Sequence, residues 1–278
     1  LLYLLLREAG VGVALVVLCL VFVLAEPKFA TMLNFTNILV QISINMVLAI
    51  GLTYVILLGG IDLSVGSVLA LCTIVAGKVI TSESLSVAAA IVLAVLASMA
   101  VGVLCGFFNG YISNRWKLHP FIVTLGMLNI ARGAAQQISN SRTIFSFPAV
   151  FNDFGSRTMG GVPIIFLISL VMIVIAGFVL RKTVFGRVIY AVGNNEESAR
   201  LSGHNSGFYK VIVFVISGFC VGVAAVLYML RLNIASPILG VGFELNAIAA
   251  AVIGGTSMFG GKGSLLGTFF GACIIGVL

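Results

Sequence analysis

Residues 84–114 read SLSVAAAIVLAVLASMAVGVLCGFFNGYISN, with no charged side chain between Glu83 and Arg115. A helix needs roughly 20 apolar residues to cross the hydrocarbon of a bilayer, and this run is longer than that. Uncharged stretches of similar kind extend from Lys28 to Asp62, from Arg157 to Arg181 and from Lys210 to Arg231. Hydrocarbon offers the backbone no water, so only helices or a closed barrel can span it. Barrel strands alternate apolar and polar residues, and these runs do not. The chain therefore reads as all-α, a polytopic transmembrane helical bundle.

Composition supports the same reading. Of the 278 residues 61% are hydrophobic and only 8% charged, where a soluble domain has about a quarter charged. There is too little polar surface to clothe a water-soluble particle. The net charge of +7 matches the basic bias of cytoplasmic loops, and no aromatic-basic cluster points to nucleic acid. The five cysteines, Cys19, Cys72, Cys105, Cys220 and Cys273, are scattered without a CxxC pair, and His119 and His204 stand alone. This spacing suits packing rather than a metal or a disulfide.

Spans are expected at roughly 9–26, 37–58, 64–80, 87–112, 119–138, 162–180, 209–230, 244–259 and 264–278, about nine spans or part-spans. They form a single transmembrane domain over residues 1–278. Val11 to Ala25 has the length of a signal-peptide core, but Glu26-Pro27-Lys28 offers no small-residue cleavage site, so it reads as a retained first span. The longest polar stretches, Ser139–Gly161 and Arg181–Tyr209, are too short to bury cores of their own. With the N-terminus inside, nine basic residues face the cytoplasm: Arg7, Arg115, Lys117, Arg181, Lys182, Arg187, Arg200, Lys210 and Lys262. Six lie on the other side, namely Lys28, Lys78, Arg132, Arg142, Arg157 and Arg231. The bias favours a cytoplasmic N-terminus.

Within the polar stretch 181–209, Asn194 or Asn195 can cap a helix, Glu196 and Glu197 suit its first turn, and Arg200 suits its last. Gly203 fits the left-handed position that stops it. So short a helix is marginal alone and must pack against something.

Asp62 and Glu244 fall within or beside apolar runs, where a carboxylate faces a cavity, a partner or the interface. Their contexts echo one another, Gly60-Ile61-Asp62-Leu63-Ser64 and Gly242-Phe243-Glu244-Leu245-Asn246. The echo suggests a two-half internal repeat, and each acid can also cap the helix that follows. Gly102, Gly106 and Gly110, at spacing four, mark a close helix contact. The stretch Gly255 to Ser264 fails the Walker pattern, because Thr256 stands at the first glycine position and Gly263 follows Lys262. It reads as a tight turn. No catalytic constellation and no cofactor site is found, so the chain is not read as an enzyme.

Four stretches carry a family likeness: Gly59 to Ser67, Pro120 to Met127 with Arg132-Gly133, Gly186 to Gly203, and Gly242 to Gly263. In these, in this order, the chain resembles the permeases of ribose-type ATP-binding-cassette importers. The resemblance implies a permease dimer in the bacterial inner membrane, cytoplasmic ATPase subunits that bind ATP and Mg, and a periplasmic sugar-binding protein. It implies that Asn195, Glu196, Glu197, Ser198, Ala199, Arg200, Leu201, Ser202 and Gly203 form the coupling helix that meets the ATPase. It also implies that the family's closing spans follow Leu278. One departure is Asn246, where ribose permeases tend to carry a second acid. Asp62, Ser64, Asn109, Thr124, Glu244 and Asn246 are the candidates for lining the translocation path or supporting its gate. The alternatives are another small solute (autoinducer-2, inositol or a branched-chain amino acid) or a proton-coupled sugar carrier using Asp62 and Glu244.

Overall fold

The computed structural model describes residues 2–278, with side chains described for 10–26 and 28–278. Arg7, which contributes to the charge bias, lies outside the described side chains. The first half comprises α1 (Leu2–Ala25), α2 (Met32–Leu57), α3 (Val65–Ile80), α4 (Val87–Arg115) and α5 (Pro120–Ser139). A short connector follows: α6 (Ala149–Ser156), then a hairpin of β1 (Thr158–Met159) and β2 (Val162–Pro163). The second half holds α7 (Ile164–Lys182), α8 (Val184–Asn194), α9 (Glu196–Leu201), α10 (Ser206–Leu232), α11 (Phe243–Ile253) and α12 (Leu265–Val277). Among the described residues four of these, α2, α4, α7 and α10, are long and apolar enough to cross a membrane by themselves.

The centre of the bundle is α2. Every residue from Ile42 to Leu57 is buried, as expected of a helix that is hydrophobic all round. It is enclosed by α7, α10, α11 and α12. Apolar packing alone gives little preference between protein and lipid, so polar ties and close backbone contacts locate the helices. Thr53 and Thr268 share a hydrogen bond of 2.8 Å between α2 and α12, and Tyr54 Oη donates to the Ala176 carbonyl at 2.7 Å on α7. By contrast α4 and α7 present Leu93, Leu96, Leu104, Val171, Val174 and Phe178 outward, as lipid-facing helices do.

The glycines at spacing four find their partner in α10. A methyl group on Gly102 would strike the Gly218 backbone, one on Gly106 the Phe214 carbonyl, and one on Gly110 the Val211 backbone. Ser98 Oγ extends the seam by donating to the Gly222 carbonyl at 2.8 Å. This is the most extensive interhelical contact in the described structure.

Eight of the nine expected spans have a helix close to the expected bounds. The span expected over 244–259 is shorter: α11 has 11 residues, about 17 Å at 1.5 Å per residue, against a hydrocarbon core of about 30 Å. It stops because Gly255 takes a left-handed φ of +92° and Gly254 is pressed on the Gly267 backbone of α12. The turn that follows is tight, as expected, with Ser257 N donating to Lys262 O at 2.8 Å and Gly261 N to Leu57 O at 2.9 Å. Within the polar stretch 181–209 the structure adds a second helix, α8, ahead of α9. Its buried side, Gly186, Val188, Ile189 and Val192, follows the three-to-four spacing of an amphipathic helix.

Candidate translocation and coupling sites

Between α2 and α3 the chain breaks and turns inside the bundle. Gly59 has φ +74°, and Gly60 N returns to the Val55 carbonyl at 3.0 Å. Asp62 is then set down at 3% exposure. Its Oδ1 accepts from Ser64 Oγ at 2.6 Å and Ser64 N at 3.0 Å, and its Oδ2 accepts from Ser217 Oγ of α10 at 3.4 Å. Asn109 Nδ2 of α4 donates to Ser64 Oγ at 3.0 Å. Thr124 Oγ1 of α5 accepts from Leu63 N at 3.2 Å. Four of the six path candidates therefore meet at one junction that ties the start of α3 to α4, α5 and α10. The junction contains no cavity of water size, so in this arrangement it joins helices and presents no surface to a solute.

Neither acid caps a helix. Ser64 at the start of α3 and Gly242 at the start of α11 carry no side-chain cap bond. Asp62 instead closes a turn on Ser64, and Glu244 lies in the first turn of α11, half-buried. The first turn of α3 meets the second segment: a methyl group on Gly66 would strike both the Gly240 carbonyl and the Glu244 carboxylate. Asn246 is exposed on α11. The segment before α11 is held by Arg132 of α5, whose Nη1 donates to the carbonyls of Pro237 at 2.6 Å and Leu239 at 2.7 Å. Ile144 and Ala235 add a two-way backbone bridge. Arg132, part of the family likeness, finds its partners in backbone carbonyls more than a hundred positions away.

At the opposite end from α6, α9 has the features read from the sequence. Asn195 Oδ1 accepts from Ser198 N at 2.9 Å, and Gly203 has φ +85°. Arg200 makes a two-point contact with Glu197, at 2.7 and 3.1 Å. The packing partner that so short a helix requires is α8: Ala199 is buried against Val188 and Val192, with Leu58 and Tyr209 at the edge. Lys210 Nζ of α10 lies 2.7 Å from both carboxylate oxygens of Glu196, and Ser206 Oγ adds a bond of 3.0 Å. Partial burial pushes the Glu196 carboxyl up, but the bonds and charge of Lys210 and Ser206 outweigh it and hold it below the usual carboxylate range. A cavity of about 640 Å³ opens beside this link, lined by Leu58, Asn114, Lys117, His119, Glu196 and Lys210 among others. The exposed face of α9 bears Glu197, Arg200 and Leu201, the last 78% exposed. An apolar tip flanked by an ion pair suits a protein partner.

The family described as branched-chain amino acid transport system / permease component matches residues 34–278. The chain belongs to that family. Among curated relatives, the permease is 40% identical to the ribose import permease protein RbsC of Haemophilus influenzae over 270 residues, 96% of this chain and 82% of that one. It is 40% identical to the D-allose transport system permease protein AlsC of Escherichia coli, covering 92% of this chain and 77% of the relative. The L-arabinose ABC transporter permease protein AraH of Azospirillum brasilense is 35% identical, covering 98% and 79%. No solved structure matches the permease significantly. The permease is thus a ribose-type ABC permease and a multi-pass membrane protein, a transport component rather than an enzyme.

Proposed function

We propose that the permease is the membrane subunit of an ATP-driven bacterial importer for a monosaccharide, ribose being the leading candidate. The observation that carries the proposal is the likeness, over nearly the whole chain, to relatives named for ribose, D-allose and L-arabinose. ATP and Mg belong to a partner ATPase. A second permease copy, membrane lipid and a periplasmic sugar-binding protein complete the assembly. The N-terminus lies in the cytoplasm of the inner-membrane protein, on the same side as α9.

The coupling helix spans Asn195 to Gly203, with α9 as its ordered centre. Closure of the ATPase moves this helix, and the Glu196–Lys210 link carries the motion into α10. From there the α4 seam and the Asp62 junction pass it to α3 and α5 as a shift between two packings. The junction residues Asp62, Ser64, Asn109 and Thr124 support the gate, while Glu244 and Asn246 stand beside the path. A neutral sugar needs hydrogen bonds but no counter-charge, so selection is left to the binding protein.

The test is D-ribose uptake into proteoliposomes. The permease with its ATPase and binding protein accumulates ribose when ATP is supplied, and the permease alone does not. Replacement of Glu197 or Arg200 lowers uptake. Uptake by the permease alone under a pH gradient would instead mark a proton-coupled carrier. Because the family description names branched-chain amino acids, L-leucine is the control substrate, and no ATP-driven leucine uptake is expected.

A further inference from the structure

Between α11 and α12 the permease makes a tight turn whose tip is Phe259, 95% exposed, with exposed Met258 beside it. The turn is held from within. Gly260 and Gly261 take left-handed φ values of +84° and +69°. Ser257 N donates to Lys262 O at 2.8 Å, Gly260 N to Ser257 O at 3.0 Å, and Phe259 N to Ser257 Oγ at 3.3 Å. It is also fastened from outside. Gly261 N donates at 2.9 Å to the Leu57 carbonyl at the end of α2, and Tyr190 Oη of α8 donates at 2.8 Å to the Gly263 carbonyl. A methyl group on Gly261 would strike the Asn194 backbone, and one on Gly193 the Leu57 carbonyl. Asn194 ends α8 and Asn195 caps α9, so the turn sits against the joint from which α9 starts.

An exposed phenylalanine ring gains nothing from burial until something covers it, and a backbone already fixed lowers the ordering cost of that contact. The joint around the turn is polar, with Asn194, Asn195, Glu196 and Lys262 all exposed. The six residues of α9 span about 9 Å at 1.5 Å per residue. The turn stands at its near end and exposed Leu201 at its far end, a separation that one protein surface can bridge. We infer that the 257–262 turn is a second docking element, and that Phe259 enters an apolar pocket of the same ATPase that α9 meets. Aromatic anchors seated in pockets carry much of the energy of protein interfaces. Leu57 ends α2 just ahead of the break at Gly59 and Gly60. A load on the turn therefore reaches the Asp62 junction without passing through the Glu196–Lys210 pair. The identity of the partner rests on the importer reading; the fixed placement of Phe259 against the start of α9 does not.

The experiment uses the full permease with its ATPase and binding protein in membrane vesicles. Phe259 is replaced by the photoreactive p-benzoylphenylalanine, which keeps the ring, and the vesicles are irradiated. An adduct with the mass of permease plus ATPase is expected. Adducts with lipid alone, with a second permease copy alone or with nothing overturn the inference. After solubilisation, tagged Phe259→Asp permease should retain at least fivefold less ATPase than the unsubstituted chain, with the same unfolding midpoint, and Phe259→Leu should retain most of it. Full retention by Phe259→Asp overturns the anchoring role; if its midpoint falls, the photo-adduct decides. Leu201→Asp tells the two levels apart. If it weakens ATPase retention and Phe259→Asp does not, the turn proposal fails and the importer reading stands. If the unsubstituted permease retains no ATPase and no adduct forms, both fail.

Discussion

Lys210 Nζ sits 2.7 Å from each carboxylate oxygen of Glu196, and this pair joins the six-residue α9 to the 27-residue α10. The helix that a partner can reach is thereby linked to the helix that shares the glycine seam with α4. Three contacts make up the joint between α9 and α10: this ion pair, the Ser206 Oγ bond to Glu196, and Tyr209 packed beside Ala199.

Breaking that pair is expected to harm transport more than stability. Both side chains are partly exposed, at 32% and 49%, so the link contributes no more than about 1 kcal/mol. Glu196→Gln or Lys210→Met should lower ATP-driven uptake several-fold while shifting the unfolding midpoint little. The double reversal, Glu196→Lys with Lys210→Glu, should regain part of the uptake. Assays of uptake and ATP hydrolysis on the same preparations check this.

The pair also has a pH signature. Glu196 is held below its ordinary value of 4.5 in the folded protein. Its contribution is therefore fully present above 4.5 and is lost as pH falls through the lower folded value. Thermal unfolding of the detergent-solubilised permease should lose somewhat more stability between pH 6 and pH 3.5 than the Glu196→Gln variant does. The exposure of the pair limits the difference to under about 1 kcal/mol.

Gly106 faces the Phe214 carbonyl across the α4–α10 seam with no room for a methyl group. Gly106→Val should push the helices apart and cost about 1–3 kcal/mol, the usual range for overpacking. A substitution on the outer face of the same helix, Leu104→Val, should cost less than about 0.5 kcal/mol. Size-exclusion profiles and unfolding midpoints in detergent distinguish the two.

Asp62 organises its junction as an acceptor. Asp62→Ala strands the hydroxyls of Ser64 and Ser217 in a site without room for water. The expected cost is about 1–3 kcal/mol. Asp62→Asn keeps one carbonyl acceptor and should cost less, retaining ATP-driven uptake. If Asp62→Asn abolished uptake while the protein remained folded, a proton-carrying role would gain support over a structural one.

Much of this was legible in the chain. The uncharged runs required membrane helices whatever their neighbours, because backbone satisfaction in hydrocarbon is a local demand. Gly102, Gly106 and Gly110 announced a close contact, and Asn195, Glu196, Glu197 and Gly203 announced α9, because capping and turn geometry act within a few residues. The amphipathic spacing of Val188, Ile189 and Val192 is also present in the chain, but the charged residues around it mask its apolar side, and only the packing of Ala199 on Val188 and Val192 shows that α8 stabilises α9.

What the sequence by itself determined is the membrane spans and the capped ends of α9; what the tertiary structure decided is where α11 stops against α12 and which polar groups meet. Asp62, Ser64, Asn109 and Thr124 belong to segments up to 62 positions apart, and nothing local says that they close on one another without water. Arg132 shows the same from the other direction, since its partners Pro237 and Leu239 are unremarkable as residues and matter only for their carbonyls. An exposed Asn129 and a buried Asn109 read alike in one dimension. Hydrogen bonds in a membrane protein are satisfied by whatever the packing brings near, and packing is a property of the whole bundle.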